Sequence, residues 1–133
     1  MPALPPDDGL GHKVETTSSD KFGSSVAVSE DYIVVGAKGD DSGQGSAYVY
    51  DLSNLSSAPT KITATTRTNF DDFGSNVSIV GSQIVVGAPQ DDPNGNNSGA
   101  IYLFDTNDLT ASPTQIVPSD VGANEQFGYS LAL

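Results

Sequence analysis

Apolar residues along this chain come in short, evenly spaced runs, and no long stripe with a 3.6-residue period appears. Val26 and Val28 alternate with Ala27, and Val77 and Ile79 alternate with Ser78, as in half-buried strands. Tyr32–Ala37 and Ile84–Ala88 are continuous apolar runs, which suit strands buried on both faces. Only Ser29-Glu30-Asp31 or Gly81-Ser82-Gln83 separates each such pair, so each pair reads as a hairpin. Third strands are expected at Ala47–Asp51 and Ile101–Asp105. Weaker fourth strands, near Thr60–Ala64 and Thr114–Val117, each follow an edge-marking proline. Thr106–Ser112 has room for one helical turn, and residues 1–12 read as a loose Pro- and Gly-rich lead-in.

The runs repeat. Phe22-Gly23-Ser24-Ser25-Val26 returns as Phe73-Gly74-Ser75-Asn76-Val77 after 51 residues and as Phe127-Gly128-Tyr129-Ser130-Leu131 after a further 54. Ile33-Val34-Val35-Gly36-Ala37 returns as Ile84-Val85-Val86-Gly87-Ala88, and Tyr48-Val49-Tyr50-Asp51 as Tyr102-Leu103-Phe104-Asp105. The extra residues of the second copy fall between its Asp pair and its Tyr, where a loop would absorb them. The division that follows is a lead-in (1–12), repeat 1 (13–59), repeat 2 (60–113) and the start of repeat 3 (114–133). The fold class is all-β. Four antiparallel strands per repeat of about 50 residues make one blade of a β-propeller, and two blades plus the first part of a third make an incomplete ring.

These blocks resemble the FG-GAP repeat, the blade unit of integrin α-subunit heads and of many bacterial surface proteins. Phe73-Gly74 followed by Gly87-Ala88-Pro89 spells the motif, whereas repeat 1 carries Gly36-Ala37-Lys38 and lacks the proline. The resemblance covers roughly residues 13–133. It implies a propeller that presents loops for adhesion. Calcium-binding members carry an Asp-rich loop between the Phe-Gly strand and the Gly-Ala-Pro strand. That connection is three residues here, so the family's cation site does not carry over. Beside the name stands a physical reading: each Phe plugs the gap between neighbouring blades, and each strand-end Gly permits a close backbone approach.

Charge narrows the function classes. There are 17 acids against 5 bases, for a formal net charge of −12, and Asp supplies 14 of the acids. Such a chain repels phosphate backbones and anionic membranes, so no nucleic-acid partner and no membrane insertion are expected. No apolar run approaches the ~20 residues of a membrane helix. Without Cys there are no disulfides, thiolate chemistry or sulfur-based zinc sites. The only His, His12, lies in the lead-in, a poor place for a held catalytic imidazole, and the acids sit in turns rather than across a cleft. The chain is therefore not expected to be an enzyme.

The remaining candidate chemistry is in two oxygen-rich loops. Asp40 and Asp41 open one, and Asp91, Asp92 and Asn94 open the other. Either could hold Ca²⁺, which takes six to eight oxygens from flexible loops. Either could equally be a turn braced by its own Asx side chains. Asp20, Asp71 and Glu125 each precede a Phe-Gly by two residues and read as structural acceptors at a blade corner. The function these features suggest is a non-catalytic extracellular or cell-surface module with an unspecified protein or glycan ligand. The alternatives are a structural spacer, or accessory repeats of a secreted hydrolase. Two blades and a fraction leave faces uncovered, so self-association that completes the blades is expected.

Overall fold

The computed structural model describes residues 19–132. The lead-in and His12 therefore lie outside the described residues. Two four-stranded antiparallel sheets follow one another, each a meander in chain order. The first contains β1 (Phe22–Val28), β2 (Tyr32–Ala37), β3 (Ser46–Asp51) and β4 (Thr60–Ile62). The second contains β5 (Asn76–Val80), β6 (Gln83–Ala88), β7 (Ala100–Asp105) and β8 (Thr114–Ile116). Blade 1 thus draws its fourth strand from beyond residue 59. The expected strands form, with the fourth of each blade cut to three residues.

Local chemistry explains the turns. Gly81, at φ 56, and Ser82 close the β5–β6 hairpin, with Val80 paired to Gln83. In the first hairpin the Ser29 hydroxyl accepts the Tyr32 N–H at 3.0 Å and the Asp31 N–H at 3.3 Å. Thr106–Ser112 makes turns and no helical segment. Asp108 there accepts the Thr110 hydroxyl at 2.6 Å, so a side chain holds the loop open. A single tight turn forms instead at Asp40–Gly43, with Asp41 and Ser42 at φ 51 and 65.

The Phe-Gly pair is itself a turn. The N–H of the residue after each Gly bonds back to the carbonyl before each Phe: Ser24 to Lys21, Ser75 to Asp72 and Tyr129 to Gln126, at 3.0, 3.0 and 3.1 Å. The Gly sits third in that turn at φ 89, 92 and 89, a conformation that costs a Cβ-bearing residue 1–2 kcal/mol.

The core lies between the blades. Val34, Ala47, Val49 and Ile62 of blade 1 pack against Phe73, Ile79, Ile84, Val86, Tyr102 and Phe104 of blade 2. Phe73 is fully buried and meets Tyr102 and Phe104 edge-on, at centroid distances of 5.5 and 6.0 Å. It plugs the gap as expected. Phe22 does not: it is 41% exposed, because no blade precedes it among the described residues. Phe127 is half-buried for the corresponding reason on the other side. The two Gly motifs meet at this seam. A Cβ on Gly36 would lie 2.0 Å from the Gly74 carbonyl, and one on Gly87 would lie 2.2 Å from the Gly128 carbonyl.

Candidate functional site

The loops that carry the acid pairs sit at the seam ends of β2 and β6. Each first acid turns inward and each second acid outward: Asp40 and Asp91 are buried, Asp41 and Asp92 exposed. Tyr48 on β3 donates its hydroxyl to Asp40 at 3.0 Å, and Tyr102 on β7 donates to Asp91 at 2.5 Å. Both phenols are driven upward, first by burial and then by these carboxylates, Tyr48 to about 12.

The blades differ in what completes each pair. Lys61 reaches Asp40 at 2.9 Å and Asp41 at 3.1 Å, and Arg67 reaches Asp41 at 3.0 Å. Burial alone would raise the Asp40 carboxyl, but the bonds from Lys61, Ser46 and Tyr48 outweigh it and hold the group below its ordinary range. Asp41 is lowered by Lys61 and then Arg67. In blade 2 the positions of Lys61 and Arg67 are Gln115 and Val121. Gln115 donates to the Tyr102 hydroxyl at 2.8 Å, and Asp91 accepts the Asp92 N–H at 2.8 Å. Asp92 accepts the Asn97 N–H at 2.6 Å, and Asn94 donates to the Pro118 carbonyl at 3.1 Å.

These donor sets do not fit a resident calcium ion. In blade 1 two cationic side chains already bond the carboxylates that would ligate it. In blade 2 the carboxylate oxygens serve Tyr102, Gln115 and the backbone N–H groups of Asp92 and Asn97, and among the described residues no cluster of three or more His or acidic residues is placed to hold a metal. The connections between the Phe-Gly and Gly-Ala strands are short hairpins that lack the family's Asp-rich loop.

The corner acids divide. Asp71 is buried and accepts the Thr68 N–H at 2.7 Å and the Thr68 hydroxyl at 2.5 Å, and burial raises its carboxyl. Asp20 is also buried, whereas Glu125 is exposed.

The bracing of Asp71 has a consequence the sequence did not disclose. It fixes the Thr68–Asp71 turn with Phe70 at φ 72, an outlying conformation for a bulky side chain, and leaves that ring 69% exposed. Two open clefts meet beside it at Asp72. One, of about 300 Å³, is lined by Lys21, Gly39, Gly43, Phe70 and Asp72. The other, of about 250 Å³, is lined by Lys38, Asp72, Asn76, Gln90, Gln126 and Tyr129 among others. Gln90 donates to Asp72 at 2.7 Å, Lys38 lies 4.0 Å from it, and Tyr129 is 69% exposed. The Ser75 hydroxyl, at the floor of the second cleft, is buried without a partner. The exposed Phe70 ring thus lines the first cleft, the exposed Tyr129 ring lines the second, and Asp72 lines both. The available signal was that Phe70 breaks the repeat, since Asn124 holds its place in the next unit.

Four-stranded meanders, stacked face to face through a Phe and two glycines per seam, define a β-propeller repeat module. The FG-GAP repeat matches this chain at residues 14–50 and again at 57–104, more than half its length, and the chain belongs to that family. No curated protein matches it. No helix among the described residues is long and apolar enough to cross a membrane.

Proposed function

We propose that the chain is a non-catalytic binding module of an extracellular or cell-surface protein, and that it engages a protein or glycan ligand through the groove around Asp72. The observation that carries this reading is Phe70. A large apolar side chain held in a costly backbone conformation and turned to solvent makes no contribution to the core, and strain of this kind concentrates at ligand contacts. Tyr129 across Asp72 supplies a second amphipathic surface. Asn76, Gln90 and Gln126 supply donors and acceptors that match hydroxyl-rich or peptide ligands. Family membership supports the module and its extracellular setting.

The test is retention of the purified chain on an array of defined oligosaccharides and on immobilised matrix proteins, alongside Phe70→Ala and Tyr129→Ala. Retention that both substitutions abolish, with the urea midpoint unchanged or raised, is the expected result. No retention on any surface, or retention indifferent to both substitutions, would overturn the proposal.

A further inference from the structure

The loop between β6 and β7 holds a reactive pair of residues beside its acids. Of the eight Asn in the chain, only Asn94 is followed by Gly. The order matters because the backbone nitrogen of the next residue can attack an Asn side chain, and a Cβ on that residue obstructs the approach. Asn94 and Gly95 are both exposed. The Gly95 N–H reaches only the Asp92 carbonyl, at 3.4 Å, beyond the usual span of an N–H···O bond. Other candidate nitrogens are held more firmly. The Asn97 N–H, which would attack Asn96, is bonded to the Asp92 carboxylate at 2.6 Å. The Ser98 N–H, which would attack Asn97, is bonded to the Gly95 carbonyl at 3.0 Å, and the Asp108 N–H beside Asn107 to the Asp105 carbonyl at 3.1 Å. Asn124 faces a loose N–H, that of Glu125 at 3.4 Å, but there a Glu side chain flanks the nitrogen.

We propose that Asn94 is a site of spontaneous covalent modification, and that its conversion loosens the loop's hold on residues 118–124. The Gly95 nitrogen loses its proton to hydroxide and bonds to the Asn94 Cγ. The Cγ–Nδ2 bond breaks, and the amide nitrogen takes a proton from water and leaves as ammonia, which closes a five-membered imide. Water then adds to either imide carbonyl and breaks that carbonyl's bond to the ring nitrogen. The product is aspartate or isoaspartate, reached with no oxidant, reductant or enzyme.

The consequence follows from what Asn94 touches. Its amide donates to the Pro118 carbonyl at 3.1 Å, and that carbonyl also accepts the Val121 N–H at 3.3 Å. On the same loop the Asn96 carbonyl accepts the Asn124 N–H at 2.8 Å. The loop thus holds residues 118–124 by one side chain and one backbone group. A carboxylate at position 94 has no proton to donate, so two acceptors would face each other at Pro118. It also adds a negative charge two residues from Asp92, in a chain whose formal charge is already −12. The corresponding loop of blade 1, Asp40–Ser46, contains no Asn, so the device belongs to blade 2 alone.

Incubation of the purified chain in mildly alkaline buffer, followed by peptide mass mapping, tests the chemistry. The peptide that contains Asn94 should gain the mass that separates a hydroxyl from an amino group, and part of the product should accept a methyl group from an isoaspartyl methyltransferase. A short synthetic peptide around Asn94 gives the unrestrained rate. The folded chain should run within about tenfold of it, because ring closure there requires the loss of one exposed hydrogen bond, to Pro118. Asn94→Gln should remove the gain. Asn94→Asp, made directly, should speed hydrogen exchange at the Val121 and Asn124 N–H groups severalfold and leave that of β6 and β7 unchanged, which shows that the blade still folds. Three outcomes would overturn the proposal: a folded chain that gains no mass while the peptide converts, a gain that maps to another Asn, or an Asn94→Asp chain whose Val121 and Asn124 exchange as in the wild type.

Discussion

Gly36→Ala should be strongly destabilising although it adds a single methyl group to a regular strand. Gly36 lies in β2, paired with both Ser25 and Ala47, where alanine is locally preferred by about 0.5–1 kcal/mol. The seam reverses that preference. The new Cβ would stand 2.0 Å from the Gly74 carbonyl oxygen and 2.3 Å from the Ser25 hydroxyl, against 3.4 Å or more for ordinary contact. Ser25 can rotate, although its bond to the Gly74 carbonyl at 2.8 Å would be lost. The carbonyl cannot rotate, because it belongs to the turn that seats Phe73. The blades must part by about 1.4 Å, which loosens the packing of Phe73 and Ile79. Overpacking of this kind costs 1–3 kcal/mol when neighbours relax; against backbone, about 3 kcal/mol is expected.

Two controls separate the seam from the backbone. Gly81→Ala meets open space at φ 56 and should cost about 1 kcal/mol from the left-handed conformation alone. Gly87→Ala repeats the collision, at 2.2 Å from the Gly128 carbonyl. Its partner is a turn with no ladder behind it, which can lift away, so about 1 kcal/mol is expected there as well. Urea unfolding followed by tyrosine fluorescence measures all three, since the chain has five Tyr and no Trp. The reasoning fails if Gly36→Ala falls within 0.5 kcal/mol of Gly81→Ala, or if Gly87→Ala costs as much as Gly36→Ala.

Phe73→Ala should cost about 3–5 kcal/mol and Phe22→Ala under about 1.5, a contrast set by the seam rather than the motif and read from urea midpoints. Tyr102→Phe leaves Asp91 without its closest donor in a buried site and should cost about 1–3 kcal/mol, whereas Tyr48→Phe should cost less because Lys61 stays on Asp40; the same denaturation assay compares them. Lowered carboxyls stabilise above their unfolded value near 4 and lose that contribution as pH falls through the folded value, so Lys61→Met should destabilise more at pH 7 than at pH 3. Asp71 is raised, so its contribution is full below about 4 and lost as pH rises; Asp71→Asn should therefore be better tolerated at pH 7 than at pH 3 in paired melts. Calcium, or a chelator, should leave the melting temperature unchanged, because an ion without a site adds no linkage term.

The strands, their order and the blade repeat were legible because period-2 alternation and a 51-residue recurrence are properties of the chain alone. Burial was less so. Phe22 and Phe73 are identical in motif and opposite in exposure, since what decides burial is the blade that precedes each. The acid pairs stood out as oxygen-rich loops, yet their inner members are tied to Tyr48 and Tyr102. Those tyrosines recur at matching places on the third strands, so the pairing was latent in the repeat. The Asp72 groove was not legible at all. Its exposed Phe70 comes from an Asx-braced turn at a position where the repeats disagree, and recurrence points only to what is shared.

That division is informative in itself. Phe73, Gly74 and Gly87, the residues that define the motif, all lie at a seam, with Gly36 facing Gly74 and Gly87 facing Gly128. The signature therefore encodes how one blade fits the next and carries no ligand chemistry. On the proposed binding role, recognition resides where successive units differ. Lys38 becomes Pro89, Lys61 becomes Gln115, Arg67 becomes Val121 and Phe70 becomes Asn124. The first change falls in the groove itself. The next two alter the charge around each acid pair, whose inner Asp keeps its tyrosine partner in both blades. The last removes the strained ring. A seam fixed by glycines tolerates such substitution because its energy comes from the methyl groups that are absent and the Phe that fills the gap, leaving the loop ends free to vary from blade to blade.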